Sequence, residues 1–241
     1  MSHTHASSRS LVTPEHLVTA FNRSECPIMS YTYSDPVVWQ DYMLEVAQLV
    51  HQSGKLNCMV TNGSFSASSL ERILTHIDLF NIDVKGDQQF YEQYCSGSLD
   101  PVLRTVREIA SREDRVLEIT TLIIEGIHTE QMIAELAAVL ANCQVQVWHL
   151  SRFFPHYRMI DRAPTSEAFL ARMLSIARDA GIPYVYGGNS RVSSWQQTVC
   201  PRCATVLVSD RAYASTASEE VSRTISSGRC AKCGAFIYGR F

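Results

Sequence analysis

Short apolar runs alternate with amphipathic stretches from Thr13 to about Gly187. Thr13-Pro14-Glu15-His16 combines a capping hydroxyl, proline at the first helical position and an acid in the first turn, so a helix is expected to about Asn22. The apolar run Ile28–Tyr31 reads as a strand. It passes into Thr32-Tyr33-Ser34-Asp35, and Pro36 opens a helix over 36–53, with apolar groups at Val37, Val38, Met43, Leu44, Ala47 and Val50 and Gly54 beyond its end. Cys58-Met59-Val60 is the next strand, then a helix from Ser66 to His76, a strand from Leu79 to Lys85, and a helix from Pro101 to about Arg112. Val116 to Ile124, a helix from Glu130 to Leu140, Val145 to Leu150, a helix from Ser166 to Ala180, and Tyr184-Val185-Tyr186 complete the series.

This rhythm predicts right-handed βαβ units around a parallel sheet. Two closures fit it: an open doubly wound sheet, or a full or partial TIM-type (β/α) barrel. Both place their sites at the carboxyl ends of the strands. No Gly-x-Gly-x-x-Gly follows a strand and no Gly-x-x-x-x-Gly-Lys-Ser/Thr occurs, so dinucleotide and P-loop readings have no support. No internal repeat is evident. The polar stretch Ser190 to Gln197 breaks the rhythm and predicts a boundary between residues 1–190 and a tail of residues 191–241.

Composition narrows the function classes. Of 241 residues, 46% are hydrophobic and 19% charged, an ordinary globular balance. A net charge of −3 and a pI near 6.2 give no basic footprint for nucleic acid. No apolar run reaches membrane-spanning length, and MSHTHASSRSLV lacks a signal-peptide core, so a cytoplasmic protein is expected.

The strand ends concentrate the candidate chemistry. Thr32, Tyr33, Ser34 and Asp35 follow the first strand, and Thr61, Asn62 and Gly63 the second. Asp83 and Lys85 stand at the third, Thr120 and Thr121 with Glu125-Gly126 at the fourth, and His149, Ser151 and Arg152 at the fifth. Hydroxyls, amides, acids and cations at one end of one sheet suit a polar ligand with a ribose and charged groups. Taken singly, Thr32, Ser34 and Asp35 read as helix caps, Asn62-Gly63 as a turn, Asp83 with Lys85 as an ion pair, and His149 as a satisfied buried histidine.

Eight cysteines divide unequally. Cys26, Cys58, Cys95 and Cys143 are single, whereas Cys200, Cys203, Cys230 and Cys233 form two Cys-x-x-Cys pairs. Each pair sets two thiolates on one side of a metal, and two pairs complete a tetrahedral set, which predicts a structural zinc ribbon. Rubredoxin-like iron is the alternative, because four thiolates suit either metal. A segment such as Thr205–Val208 would supply a hairpin between the pairs. Stabilisation of a small appendage lacking its own core is the expected role.

Tyr31-Thr32-Tyr33-Ser34-Asp35-Pro36, Val60-Thr61-Asn62-Gly63, Asn81-Ile82-Asp83-Val84-Lys85-Gly86, Thr120-Thr121-Leu122-Ile123 and Trp148-His149-Leu150-Ser151-Arg152-Phe153, in this order and with the cysteine tail, resemble the radical S-adenosylmethionine superfamily. The likeness is to activating enzymes of glycyl-radical proteins, and most of all to the radical enzyme of the AmmeMemoRadiSam system. It implies a barrel that binds S-adenosylmethionine and a 4Fe-4S cluster. A strand end of Gly-Gly-Glu-Pro type there holds the cofactor's amino group through backbone carbonyls. Tyr33, Ser34 and Asp35 match that position, with aspartate one methylene shorter than the usual glutamate. By the same resemblance Thr61, Asn62, Asp83 and Lys85 line the ribose and carboxylate, and His149 matches a cofactor-contacting histidine.

One departure is large. The family's Cys-x-x-x-Cys-x-x-Cys loop occurs nowhere in these residues: the first cysteine is Cys26 and the next Cys58. The resemblance therefore implies a partial barrel without its first strand. The expectation is an N-terminally truncated form, or a protein that lost radical chemistry or borrows the loop from a partner. As a lone chain it is expected to be inactive in reductive cleavage of the cofactor to a 5′-deoxyadenosyl radical, and no catalytic residue is assigned. A non-catalytic S-adenosylmethionine-binding or scaffold protein with a zinc ribbon is the alternative function. A zinc-ribbon nucleic-acid binder is disfavoured by the acidic balance. The family association implies Memo-like and AMMECR-type proteins as partners and leaves the substrate unknown.

Overall fold

The computed structural model describes residues 11–209 and 217–240, the side chains of 217–220 excepted. Residues 1–10, 210–216 and 241 lie outside them. Six parallel strands, β1 (Ile28–Tyr31), β2 (Leu56–Thr61), β3 (Leu79–Asp83), β4 (Val116–Ile123), β5 (Val147–Arg152) and β6 (Tyr184–Gly188), form one sheet in sequential order. Between them run α1 (Pro14–Asn22, ahead of β1), α2 (Gln40–Gln52), α3 (Ala67–Leu74), a single turn α4 (Gln88–Phe90), α5 (Leu99–Ala110), α6 (Glu130–Asn142) and α7 (Glu167–Asp179). The strand order never reverses. Right-handed crossovers therefore lay the helices on one face, which excludes the doubly wound closure and leaves a partial TIM-type barrel.

The two faces follow from strand alternation. Phe80 and Ile82 of β3, Leu117, Ile119 and Ile123 of β4, and Trp148 and Leu150 of β5 point outward into the helices and are buried. Each such side chain contributes about 1.5–3 kcal/mol by leaving water. Asn81 and Asp83, Glu118 and Thr120, His149 and Ser151, and Tyr186 alternate onto the inner face and stay half-buried. The outer layer holds a polar node at Asn57. Asn57, fully buried, accepts from Tyr31 Oη at 2.8 Å and donates to the carbonyls of Ala47 (2.9 Å) and His76 (3.0 Å), while Asp78 accepts from the Asn57 amide at 2.8 Å. Full satisfaction makes that burial tolerable and fixes α2 against β1 and β2.

The helix over 36–53 is two pieces, a 3₁₀ turn Pro36–Trp39 capped by Asp35 and then α2. The strand expected at Val145–Leu150 lies two residues later. Val145 instead donates to Leu140 at 3.1 Å, and Gln144 with φ of 59° closes the preceding helix, which puts Ser151 and Arg152 inside β5. The helix expected from Pro101 starts at Leu99 because Ser98 caps it. Residues 88–95, between the expected strand to Lys85 and the expected helix from Pro101, fold into α4 and a π-helical turn, Tyr91–Cys95.

Beyond β6, Ser193–Trp195 forms a 3₁₀ turn. Then come β7 (Thr198–Val199) paired antiparallel with β8 (Val206–Val208), α8 (Ala217–Thr224), and β9 (Ile225–Ser226) paired with β10 (Arg229–Cys230). A local repeat emerges here that the sequence does not advertise. Cys200 N donates to Thr205 O and Ala204 N to Cys200 O, as Cys230 N does to Ala235 O and Gly234 N to Cys230 O, at 2.8–2.9 Å. Ala204 and Gly234 both have positive φ, 55° and 71°, and Leu207 and Ile237 occupy equivalent buried positions. No helix among the described residues is long and apolar enough to cross a membrane.

Candidate functional site

The rim at the carboxyl ends of the strands is held together by its own side chains. Asp35 accepts from the Val37 amide at 3.3 Å as a cap, and its carboxylate also takes Thr61 Oγ1 at 2.9 Å and the Asn62 amide at 2.8 Å. One short acid thus stitches the end of β1 to the end of β2. Aspartate is long enough for this, and the carboxylate is engaged with the chain itself. Tyr33 adopts φ of 72° and projects fully into solvent, and Ser34 Oγ accepts from Trp39 Nε1 at 3.1 Å. Asn62 Oδ1 accepts from Ser64 N at 2.8 Å, an Asx-type turn. Gly63 completes it with φ of 72°, and a Cβ there would meet Ile82 Cγ2 at 2.7 Å, so glycine is required on two counts.

At the end of β3, Lys85 Nζ donates to Asp83 Oδ2 at 2.8 Å, with both side chains more than a third exposed. Their backbone is fastened from two sides. Tyr91 Oη donates to Asp83 O at 3.3 Å and accepts from Lys85 N at 3.2 Å, and burial pushes its hydroxyl up to about 12. His128 accepts from Ile124 N through Nδ1 at 3.0 Å, and its Nε2 lies 2.9 Å from Lys85 O. A nitrogen that accepts from an amide carries no proton, so the ring is the neutral Nε2–H tautomer and donates to Lys85 O. Burial likewise drives its pKa below the ordinary value.

The register sets Asp83 beside Thr120, Thr120 beside His149, and His149 beside Tyr186, so these four form one row across the inner face. His149 Nε2 lies 2.9 Å from Glu118 Oε2, and its ring stacks on Tyr186 with centroids 5.0 Å apart and planes 19° apart. Arg152, counted among the strand-end groups, turns away from the row: its Nε donates to Thr165 O at 2.7 Å and its Nη1 to Glu167 at 3.4 Å. The structure therefore brings Asp35, Thr61 and Asn62 into direct contact and Asp83 with Lys85, and sets His149 in the row with Asp83. Sequence reading passed over Glu118, Tyr186, Tyr91 and His128. Glu118 and Tyr186 had a signal, since polar residues at alternate strand positions mark an inner face; Tyr91 and His128 had none, lying in a turn and a loop. Cys58, also inward, has its thiol pushed up to about 11 by burial and stays protonated.

The four paired cysteines converge. Their Sγ atoms all lie within 4.8 Å of one another, with Cys200 to Cys233 at 3.6 Å and Cys203 to Cys230 at 3.8 Å. Disulfide sulfurs sit at about 2.05 Å, whereas thiolates about 2.3 Å from one tetrahedral ion are separated by about 3.8 Å. The set thus fits a single metal with all positions filled by protein.

No family model matches the sequence. The chain is 30% identical over 231 residues to uncharacterized protein MJ0808 of Methanocaldococcus jannaschii, spanning 94% of this chain and 67% of that protein, and it belongs to the same family. A domain of pyruvate-formate lyase-activating enzyme from Bacteroides vulgatus superposes with a TM-score of 0.57 at 18% identity, covering 67% of this chain and 98% of that domain. Streptococcus suis SuiB, in a structure bound to S-adenosylmethionine, superposes with a TM-score of 0.61 at 9% identity, covering 78% of this chain and 46% of SuiB. At these identities the likeness is one of fold.

Proposed function

We propose that this chain is the barrel body of a radical S-adenosylmethionine protein and that its rim holds the cofactor. The carrying observation is the Asp35 stitch. It joins the Tyr33–Asp35 turn to Thr61 and Asn62 at the strand ends where this fold places its sites. SuiB, which shares the fold, is seen with S-adenosylmethionine bound. In this reading the backbone of Tyr33 and Ser34 receives the cofactor's amino group, with Asp35 as the positioning residue behind them. Thr61, Asn62, Asp83 and Lys85 bound the ribose and carboxylate region, and His149 closes the far side. Lys85, the exposed cation of the pair, supplies the charge that a carboxylate needs.

A 4Fe-4S cluster would supply the electron for reductive cleavage of the cofactor to a 5′-deoxyadenosyl radical. Its usual ligand motif is absent from these 241 residues, so cleavage requires ligands from a preceding segment or a partner chain. We assign the finer place to the AmmeMemoRadiSam enzymes. The ribbon metal is zinc, the body spans residues 1–190 and the tail 191–241, the compartment is the cytoplasm, and Memo-like and AMMECR-type proteins are the partners. A non-catalytic S-adenosylmethionine-binding scaffold is the second reading, since the contacts of Asp35 with Thr61 and Asn62 serve binding without cleavage equally well.

Equilibrium dialysis of the full chain against labelled S-adenosylmethionine tests the shared core of both readings. Saturable binding near one per chain is expected, weakened roughly tenfold in Asp35→Ala, the worth of one charged hydrogen-bonding group. Absence of saturable binding in a folded chain would overturn the proposal. An in-frame Cys-x-x-x-Cys-x-x-Cys encoded shortly before the Met1 codon would decide for the enzyme over the scaffold.

A further inference from the structure

The ribbon does not have a core of its own. Cys200, Leu207, Ile225, Cys230 and Ile237 share one apolar cluster with Val147 of β5 and Tyr184 of β6, both inner-face residues at the amino ends of their strands. Tyr238 extends the junction: its hydroxyl accepts from the Leu117 amide at 2.7 Å, and its own amide donates to Tyr184 Oη at 3.4 Å. The ribbon is therefore seated in the mouth of the barrel wall formed by β4–β6.

Further along the same strands, Tyr186 Oη and Thr198 Oγ1 lie 2.9 Å apart. Thr198 is in β7, two residues before Cys200, and its strand partner is Val208 of β8. Glu118, His149 and Tyr186 on one side and Gln196, Thr198 and Val208 on the other line a cavity of about 590 Å³. The chain thus carries the cysteine centre to Thr198 through Val199, and contacts continue from Thr198 to Tyr186, from the Tyr186 ring to His149, and from His149 to Glu118.

We propose that the ribbon is a structural wall of the inner-face site and that Thr198 is its positioning residue: metal binding fixes the β7–β8 hairpin, and the hairpin, through Thr198 and Tyr186, fixes the His149 imidazole over Glu118. This stands apart from the cofactor reading, because it needs no ligand at the rim. It departs from the expectation of a simple stabilising appendage, since an appendage could be loosened without altering a histidine in the barrel.

The test follows the His149 ring by carbon–proton NMR of the zinc-loaded full chain, assigned with His149→Gln. Thr198→Val removes the hydroxyl and leaves all four cysteines, and Thr198→Ser restores the hydroxyl. The expected result is a shifted or broadened His149 ring signal in Thr198→Val at full zinc content, with the native signal back in Thr198→Ser. Chelation of the wild-type chain should move the same signal and speed amide exchange across β5 and β6 while β1 and β2 keep their protection. A native His149 signal in zinc-loaded Thr198→Val would overturn the proposal. Should chelation unfold the whole chain, the two Thr198 variants, compared at full zinc content, decide alone.

Discussion

The cysteine centre and the barrel rim are built in opposite ways. The centre takes four ligands from two turns, each closed by its own hydrogen bonds: Ala204 to Cys200 in one, Gly234 to Cys230 in the other. The rim gathers Asp35, Thr61, Asn62, Asp83 and Lys85 from three strands, with His149 of β5 reached along the inner-face row, and the sheet register is what brings these strands into line. A local site announces itself by spacing and fails as a unit. A distributed site is weakly signalled, and it fails piecemeal because each residue is held by a separate support.

The largest expected effect tests the local half of that contrast. Cys230→Ser should drop bound metal from about one per chain to near zero, because a structural ion contributes on the order of 10 kcal/mol to folding in small zinc domains. The apolar cluster around Leu207 and Ile237 should then open, read by faster amide exchange across Val206–Val208 and Arg229–Cys230. Asp35→Ala, a rim change of similar size, should keep full metal content. Metal retained in Cys230→Ser, or lost in Asp35→Ala, would erase the distinction.

What could be read in the chain follows the same division. Cys200, Cys203, Cys230 and Cys233 were legible because two Cys-x-x-Cys pairs need no tertiary knowledge. The strand-and-helix rhythm was legible because caps such as Thr13, Ser66 and Ser166 sit where the periodicity begins. Side-chain direction at the rim was not. Asp35 reads singly as a helix cap, which it is, but its stitch to Thr61 and Asn62 across two strands leaves no mark in the sequence. Arg152 looked like a strand-end group and anchors the Thr165 loop. The support given by Tyr91 and His128 was invisible, since a π-helical turn and a loop histidine acquire meaning only when the chain returns to β3. The likeness between the two knuckles rests on backbone bonds and positive φ, which residue identity (Ala204 against Gly234) conceals.

His128 gives the next effect, on the rim's foundations. Its folded-state pKa is depressed by burial, and the unfolded value is near 6.5. Above that value the ring is neutral in both states and its bonds to Ile124 and Lys85 are intact. As pH falls below about 6.5 the unfolded chain takes up a proton that the folded one resists, so stability declines with further acidification toward the folded pKa. Urea unfolding at pH 7.5 and 5.5 should show a lower midpoint at the acid end, and His128→Gln should flatten that slope. An unchanged slope in the variant would mean that other groups carry the acid sensitivity.

The smallest stability effect belongs to the Asp83–Lys85 pair, and it separates ligand chemistry from scaffold most sharply. Both side chains are more than a third exposed, and exposed pairs contribute about 0–1 kcal/mol. Tyr91 and His128 hold the local backbone independently of that pair. Lys85→Met should therefore leave the unfolding free energy, measured by urea titration, within about 1 kcal/mol of the wild-type value. If Lys85 receives the cofactor's carboxylate, the same change should weaken S-adenosylmethionine binding by roughly tenfold or more, since a charge-assisted contact is about twice as strong as a neutral one. A variant that loses stability and keeps its affinity would make the pair part of the scaffold. The cofactor site would then reduce to the backbone cradle set by Asp35.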